Sequence, residues 1–301
     1  KFFDKGEYYK AIPKFTKAAN SDGEHKQEAT IKLADSYLQL KEYRNAEVFY
    51  KKAIELGKVD AVTHYNYATV LKNDNHYNEA LEEFNKYLQT NPNDERAKNA
   101  VKYCKEIKAW QSLPKEYEAI NLAEINTPKD EFSPVVYDGK LVFVSEQQPD
   151  IINYEQYDFN GKPYLNVFFT ELKNEVPASN KKSFSKKLNS NYHDGPVCFN
   201  KEQNLLFMTR VSYVARKSKD FVNRAKLFYS EKSGKSWGSL KPFLYNSDSY
   251  STAHPSLSDD GNNLFFSSDM PGGFGGMDIW VSKKGKDGWE KPVNLGPDIN
   301  T

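Results

Sequence analysis

Five histidines are the first residues that could do chemistry, and His25, His64, His76, His193 and His254 are scattered along the chain. None forms an i, i+4 pair on a helix or a His/Cys cluster with metal-ligand spacing, so no metal and no metal-dependent step is expected. A Gly-x-Ser-x-Gly nucleophile elbow is absent, which removes the commonest strand-to-helix arrangement for a serine nucleophile. Gly272-Gly273-Phe274-Gly275-Gly276 has the composition of a phosphate-cradling loop. It lies between two strand-like runs and precedes no helix, so a tight inter-strand loop is expected and a nucleotide cofactor is not. Asp259-Asp260-Gly261-Asn262-Asn263 is acidic enough to attract calcium. It lacks the alternating Asp-x-Asp-x-Asp ligand spacing and suits a hairpin turn better.

Arg210, Arg216 and Arg224 could in principle hold a carboxylated sugar. Ser230-x-Lys232-x-Gly234-x-Ser236-Trp237 approaches the Asp-box turn of sialidases, with Lys at the position of the defining Asp. Structural turns and solvated arginines are the expectation there. Cys104 and Cys198 fall in different regions without metal spacing and are expected to be buried thiols. The chain therefore reads as non-enzymatic, with no catalytic, cofactor or metal residues. Its 42 basic residues against 41 acidic give a formal charge of +1. That balance argues against a nucleic-acid partner, because phosphate backbones select a strong positive excess. No apolar run reaches the roughly 18 residues that a membrane span requires. The chain opens at Lys1 in the middle of an amphipathic pattern, so its native N-terminus is expected to lie upstream.

The elements come from repetition. Tyr8, Ala11, Phe15 and Ala18 recur as Tyr43, Ala46, Tyr50 and Ala53, then as Tyr77, Ala80, Phe84 and Tyr87. Aromatic and small side chains alternating at helical spacing, every 34 or 35 residues, let helices nest closely, and this is the tetratricopeptide period. Leu33-Ala34 with Tyr37, and Tyr67-Ala68 with Leu71, supply the partner helices. Pro92 closes the third repeat, and Asp94 caps a last helix from Glu95 to Trp110. Residues 1–110 thus resemble the tetratricopeptide family, the first repeat keeping little of its leading helix before the turn at Asp4-Lys5-Gly6. The resemblance implies an α-solenoid with a groove for a protein partner. On that register Ile31, Asp35, Leu38, Tyr65, Asn66, Thr69 and Lys72 face the groove. Among them only Asn66 suits a clamp on a peptide's terminal carboxylate.

From Phe132 the pattern turns to short β-branched and aromatic runs ended by Gly, Asn, Asp or Pro. Three blocks align on Pro134, Pro196 and Pro255, each proline placed at the start of a first strand, where its missing N–H is spared. Each block continues through second and third strands to a fourth, expected at Ser185–Leu188, Trp237–Phe243 and Trp289–Leu295. Four short strands per unit is a propeller signature. The fold class is therefore α + β multidomain: a tetratricopeptide solenoid over 1–110, a connector over 111–131, and the first three blades of a β-propeller over 132–301. Tyr117–Ile125 in the connector reads as strand, a candidate outer strand for the blade that closes the ring. Three blades cannot close a ring, since propellers need about four to eight, so further blades are expected beyond Thr301 or on another fragment.

The third block, from His254-Pro255-Ser256-Leu257-Ser258-Asp259-Asp260-Gly261 through Asp278-Ile279-Trp280 to Trp289-Glu290-Lys291-Pro292-Val293-Asn294-Leu295-Gly296, resembles the TolB-type, WD-like propeller module. The order of parts is similar to OmpA-family envelope proteins of Bacteroidetes, including a PorE-like branch associated with type IX secretion and gliding. That resemblance implies a periplasmic, outer-membrane-associated scaffold, often a lipoprotein, whose partners are other envelope proteins. Peptidoglycan would be reached through a C-terminal domain outside these residues. A carbohydrate- or peptidoglycan-binding propeller is the alternative, with a propeller hydrolase behind it.

Overall fold

The computed structural model describes residues 1–114, 116–146, 156–174, 176–178, 180–211 and 222–300. The chain divides into two compact units: Lys1–Ala119 with Tyr157–Lys162, and Ile120–Gln156 with Pro163–Thr301.

The first unit holds a short 3-10 turn at Phe3–Lys5 and six helices: α1 Tyr8–Ala19, α2 Lys26–Gln39, α3 Tyr43–Glu55, α4 Ala61–Asn73, α5 Tyr77–Thr90 and α6 Glu95–Gln111. Each second helix opens on the first aromatic residue of its motif, at Tyr8, Tyr43 and Tyr77. The turns before them repeat as well. Gly6, Lys41 and Asn75 adopt left-handed φ of 72°, 58° and 68°. The residue after each donates its N–H across the turn, Glu7 to Phe2, Glu42 to Tyr37 and His76 to Leu71, at 2.8–3.0 Å. This closure satisfies carbonyls that a helix end would otherwise leave open. Asp60 caps α4 through the Thr63 N–H, and Asp94 caps α6 through those of Arg96 and Ala97. Ala46, Ala68 and Ala80 are fully buried at the close crossings, beside Tyr50 and Phe84. Tyr157–Lys162 belongs to this unit by its contacts: the Tyr9 N–H donates to the Phe159 carbonyl, and Lys10 Nζ to Asp158 at 2.6 Å.

The second unit contains three antiparallel sheets. Sheet one comprises β1 Glu131–Tyr137, β2 Lys140–Ser145 and β3 Asn166–Lys173, with β4 Val176–Pro177 and β5 Lys182–Ser183 both on the edge of β3. Sheet two repeats the plan with β6 Asp194–Phe199, β7 Leu205–Val211, β8 Ala225–Ser233, β9 Ser236–Trp237 and β10 Lys241–Pro242. Sheet three does so with β11 Thr252–Leu257, β12 Asn263–Ser268, β13 Asp278–Gly285, β14 Gly288–Trp289 and β15 Val293–Asn294. The outer strand is thus split in two each time. In sheet one it lies at β4 and β5, upstream of the expected Ser185–Leu188, which forms a turn that drops Leu188 into the core.

The prolines correct a second expectation. Pro134, Pro196 and Pro255 sit inside their strands, at register shifts between Phe132 and Val135, Asp194 and Val197, and Ala253 and Ser256. A bulge frees one position from the ladder, which suits a residue without an N–H. The residue before each proline, Ser133, Gly195 or His254, carries the positive φ. Tyr117–Ile125 forms no strand: a turn instead buries Ile125 against Phe143 and Phe168, and Lys181 Nζ donates to its carbonyl at 2.8 Å.

Two side-chain devices recur in all three sheets. Asn189, Asn246 and Asn300 each accept the N–H and donate to the carbonyl of one third-strand residue, Val167, Leu227 and Ile279 respectively. Thr170, Ser230 and Ser282 each donate to the carbonyl eight residues on, just after the first segment of the split outer strand. The asparagines supply an acceptor for the third-strand N–H groups, and they add a second donor to carbonyls that already accept from the Phe184, Phe243 and Leu295 N–H groups. The sheets stack in chain order, β6 against β1 to β3 and β11 against β6 to β8. One core joins Val142 and Val167 of sheet one to Leu206 and Met208 of sheet two. The next joins Phe207 and Leu227 of sheet two to Leu264, Phe266 and Trp280 of sheet three.

Candidate protein-binding groove

The seven groove residues lie on α2 and α4, and all are half-buried. Asp35 and Asn66 meet across the two helices: Asn66 Nδ2 donates to Asp35 Oδ1 at 3.3 Å, and the Tyr50 hydroxyl donates to the same oxygen at 2.6 Å. Burial pushes the Asp35 carboxyl up, against the opposing pull of the Tyr50 hydroxyl and Lys32. Asn66 is therefore spent partly on an internal network, which weakens its candidacy as a carboxylate clamp. Leu38 packs with Ala34, Tyr50 and Val70. Tyr65 meets Phe84 edge-to-face and Tyr87 at a tilt, with ring centroids 5.6 and 4.9 Å away, and the Arg96 guanidinium lies 5.7 Å from its ring. Thr69 returns its hydroxyl to the Tyr65 carbonyl. Lys72 Nζ lies 5.7 Å from the Tyr103 ring. Helix spacing alone marks neither Tyr50, a second-helix packing residue, nor Arg96 and Tyr103 from α6. An apolar hollow of about 640 Å³ lies elsewhere on the unit, lined by Phe2, Tyr9, Ile12, Pro13 and Tyr37 with Lys10, Lys14 and Glu42 at its polar margin.

Other candidate chemistry is absorbed structurally. Asp278 fills the glycine loop, accepting the N–H groups of Phe274 at 2.5 Å and Gly275 at 3.1 Å. Burial opposes ionisation, yet those donors and Asn294 hold the Asp278 carboxyl below its usual range. An anion is already in the cradle. A Cβ on Gly273 would fall on that carboxylate, so Gly273→Ala is expected to cost about 1–3 kcal/mol by breaking a buried charged network. Urea titration followed by tryptophan fluorescence measures it, and an unchanged midpoint would show that the loop is not built around Asp278.

Asp260 accepts from Ser258 Oγ and the Asn262 N–H, closing its own hairpin turn. Arg210 donates to Asp194 at 2.6 Å and to the Leu188 carbonyl, and Arg224 pairs with Asp269 at 3.3 Å. Arg216 lies outside the described residues. Lys232 sits 5.2 Å from the Tyr137 ring. Both cysteines are free, and burial pushes the Cys198 thiol up to about 12, away from nucleophilic use.

Tertiary structure does assemble what spacing could not. His64 Nδ1 lies 2.5 Å from Glu83, and His76 Nδ1 lies 3.2 Å from Glu47, with Asp74 alongside. Among the described residues, Glu47, Asp74 and His76 are a group that could hold a metal ion, which the scattered histidines did not suggest.

Residues 28–56 and 61–94 match the tetratricopeptide repeat family. These stretches contain α2 with α3 and α4 with α5, two complete helix pairs. No curated protein matches the sequence. No helix among the described residues is long and apolar enough to cross a membrane. Tetratricopeptide repeats suggest protein partners.

Proposed function

We propose that this chain is a non-catalytic, protein-binding scaffold of the periplasm. It ties outer-membrane components of a type IX secretion or gliding machinery to the cell wall, the wall contact being made by a peptidoglycan-binding domain outside these residues. The observation that carries the scaffold reading is the pair of stacked helical repeats, whose inner helices offer a continuous, half-buried row of Asp35, Tyr65, Asn66 and Lys72. Such a row gives a partner apolar and polar contacts in one groove, as repeat solenoids do. The envelope assignment is supported by the resemblance of the third sheet to the TolB-type module.

We read the three sheets as propeller blades. In their favour, sheet two turns one face, with Leu206 and Met208, toward sheet one and the opposite face, with Phe207 and Leu227, toward sheet three, and the residues that meet at both joints occupy matching strand positions. On sheet three the forward face carries Phe265, Ile279 and Val281, with Ile279 42% exposed. A fourth blade would cover it.

Crosslinking tests the groove. A photoreactive residue at Asn66 or Lys72 of the full chain is expected to capture an outer-membrane component in cells, while one at exposed Val48 on α3 is not. Equal capture from both positions, or capture from neither, would remove the groove from the mechanism.

A further inference from the structure

Glu47 projects from α3, Asp74 ends α4, and His76 immediately precedes α5. They are 27 and two residues apart in sequence, yet one ligand atom from each lies within 4.8 Å of the other two. The turn explains the convergence. Asn75 takes a left-handed φ of 68°, and the His76 N–H closes back on Leu71, which holds the turn beside α3. His76 makes no side-chain cap bond to α5, so its ring is not committed to helix capping.

We propose that Glu47, Asp74 and His76 form a zinc site that joins the two matched tetratricopeptide repeats. One imidazole and two carboxylates are a suitable donor set for zinc, with water completing a four-coordinate shell. Bonds of about 2.0–2.1 Å at tetrahedral angles put neighbouring donor atoms about 3.3 Å apart. His76 Nδ1 and Glu47 Oε2 already stand at 3.2 Å. An Asp74 carboxylate oxygen lies within 4.8 Å of both. Arg44 Nε approaches Asp74 at 3.9 Å, but its side chain is 91% exposed and free to swing into water.

Two other histidine–carboxylate pairs lack this convergence. Beside His64, the second oxygen of Glu83 is taken by Lys86 at 2.6 Å. His25 meets only Glu28, at 3.6 Å, and both are strongly exposed. At the proposed site the ion would link α3 to the α4–α5 turn and so fix the relation of two neighbouring helix pairs. Solenoids are held by such nearest-neighbour contacts. The site would set the stiffness of the helical array without touching a bound partner.

Zinc chloride titrated into the chelator-stripped full chain, followed calorimetrically, should give one ion per chain. His76→Ala and Glu47→Gln should each weaken binding by at least about tenfold, since even outer-shell changes at metal sites reach that size. Arg44→Ala should tighten binding, and His25→Ala should leave it unchanged. Zinc should also raise the thermal midpoint of the helical signal in the native chain but not in His76→Ala. Helical circular dichroism of each variant without metal establishes that it folds, and Glu47→Gln serves alone should His76→Ala fail to fold. Absence of zinc uptake, or an affinity that both ligand variants leave intact, overturns the proposal.

Discussion

Replacing Tyr50 by Ala is expected to destabilise the helical unit by about 3–5 kcal/mol, the range for truncating a large aromatic in a packed core. Tyr50 is fully buried, its ring 5.9 Å from that of Tyr67 and in contact with Ala34, Ala46 and Val70. Truncation opens a cavity and also strips Asp35 of its 2.6 Å donor. Tyr50→Phe separates the two effects. It keeps the packing and removes the hydroxyl, for an expected cost of about 1–3 kcal/mol at neutral pH.

The pH dependence has a definite sign. Asp35 is raised in the folded state, so folding favours its protonated form. The stability tied to this group is fully present below the unfolded value and is lost as pH rises through the folded one. A hydroxyl donor matters most to the ionised form, so the Tyr50→Phe penalty should shrink as the solution is acidified toward the ordinary carboxylate range. Urea unfolding followed at 222 nm reads both variants. A loss below about 1 kcal/mol for Tyr50→Ala would mean that the α2–α3–α4 core is not organised around this ring.

Phe207→Ala should cost the sheet unit about 3–5 kcal/mol. Phe207 is fully buried in β7 and touches Tyr229 of its own sheet, Phe243 after β10, and Trp289 of sheet three, with ring centroids 5.3–6.2 Å apart. Because the ring spans a joint between sheets, its loss should couple to that of Trp289. In a double-mutant cycle with Trp289→Ala, an interaction of about 0.5–3 kcal/mol is expected for side chains in contact. Tryptophan fluorescence suits the measurement, since Trp237, Trp280 and Trp289 lie in sheets two and three. Strict additivity would show that the two sheets do not share this core.

What could be read in advance follows from where the information sits. The second helices were legible from the motifs at Tyr8, Tyr43 and Tyr77 because each motif's aromatic and small residues lie within one helix, at spacings fixed by its own turn. The order of strands within each block was legible for a similar reason, as at Asp138-Gly139, where two positive-φ residues close β1 onto β2. Pro134, Pro196 and Pro255 were recognised as positions sparing an N–H but assigned to strand starts, because a bulge shows only when the partner strand is in register. Tyr117–Ile125 has strand-like composition but pairs with nothing, and Ile125 serves as a hydrophobic plug.

The residues expected to line the groove lie on α2 and α4, but the Asp35–Tyr50–Asn66 network was not legible. Its members are 15 and 31 residues from Asp35, and only packing brings them to one oxygen. Glu47, Asp74 and His76 stayed hidden for the same reason: no helical or strand period links a residue of α3 to two in the turn between α4 and α5.

The asparagine clasps reach past the sheets that contain them. Asn189 and Asn246 each stand in the link that leads onward to the next sheet, so each one pins that link to the third strand of the sheet it has just left. Every sheet thereby brings its own fastening and hands its successor the same starting point. For an evolving gene this makes length an inexpensive variable: a duplicated segment arrives with its join already made, and copies can accumulate or drop out without redesign of those that stay.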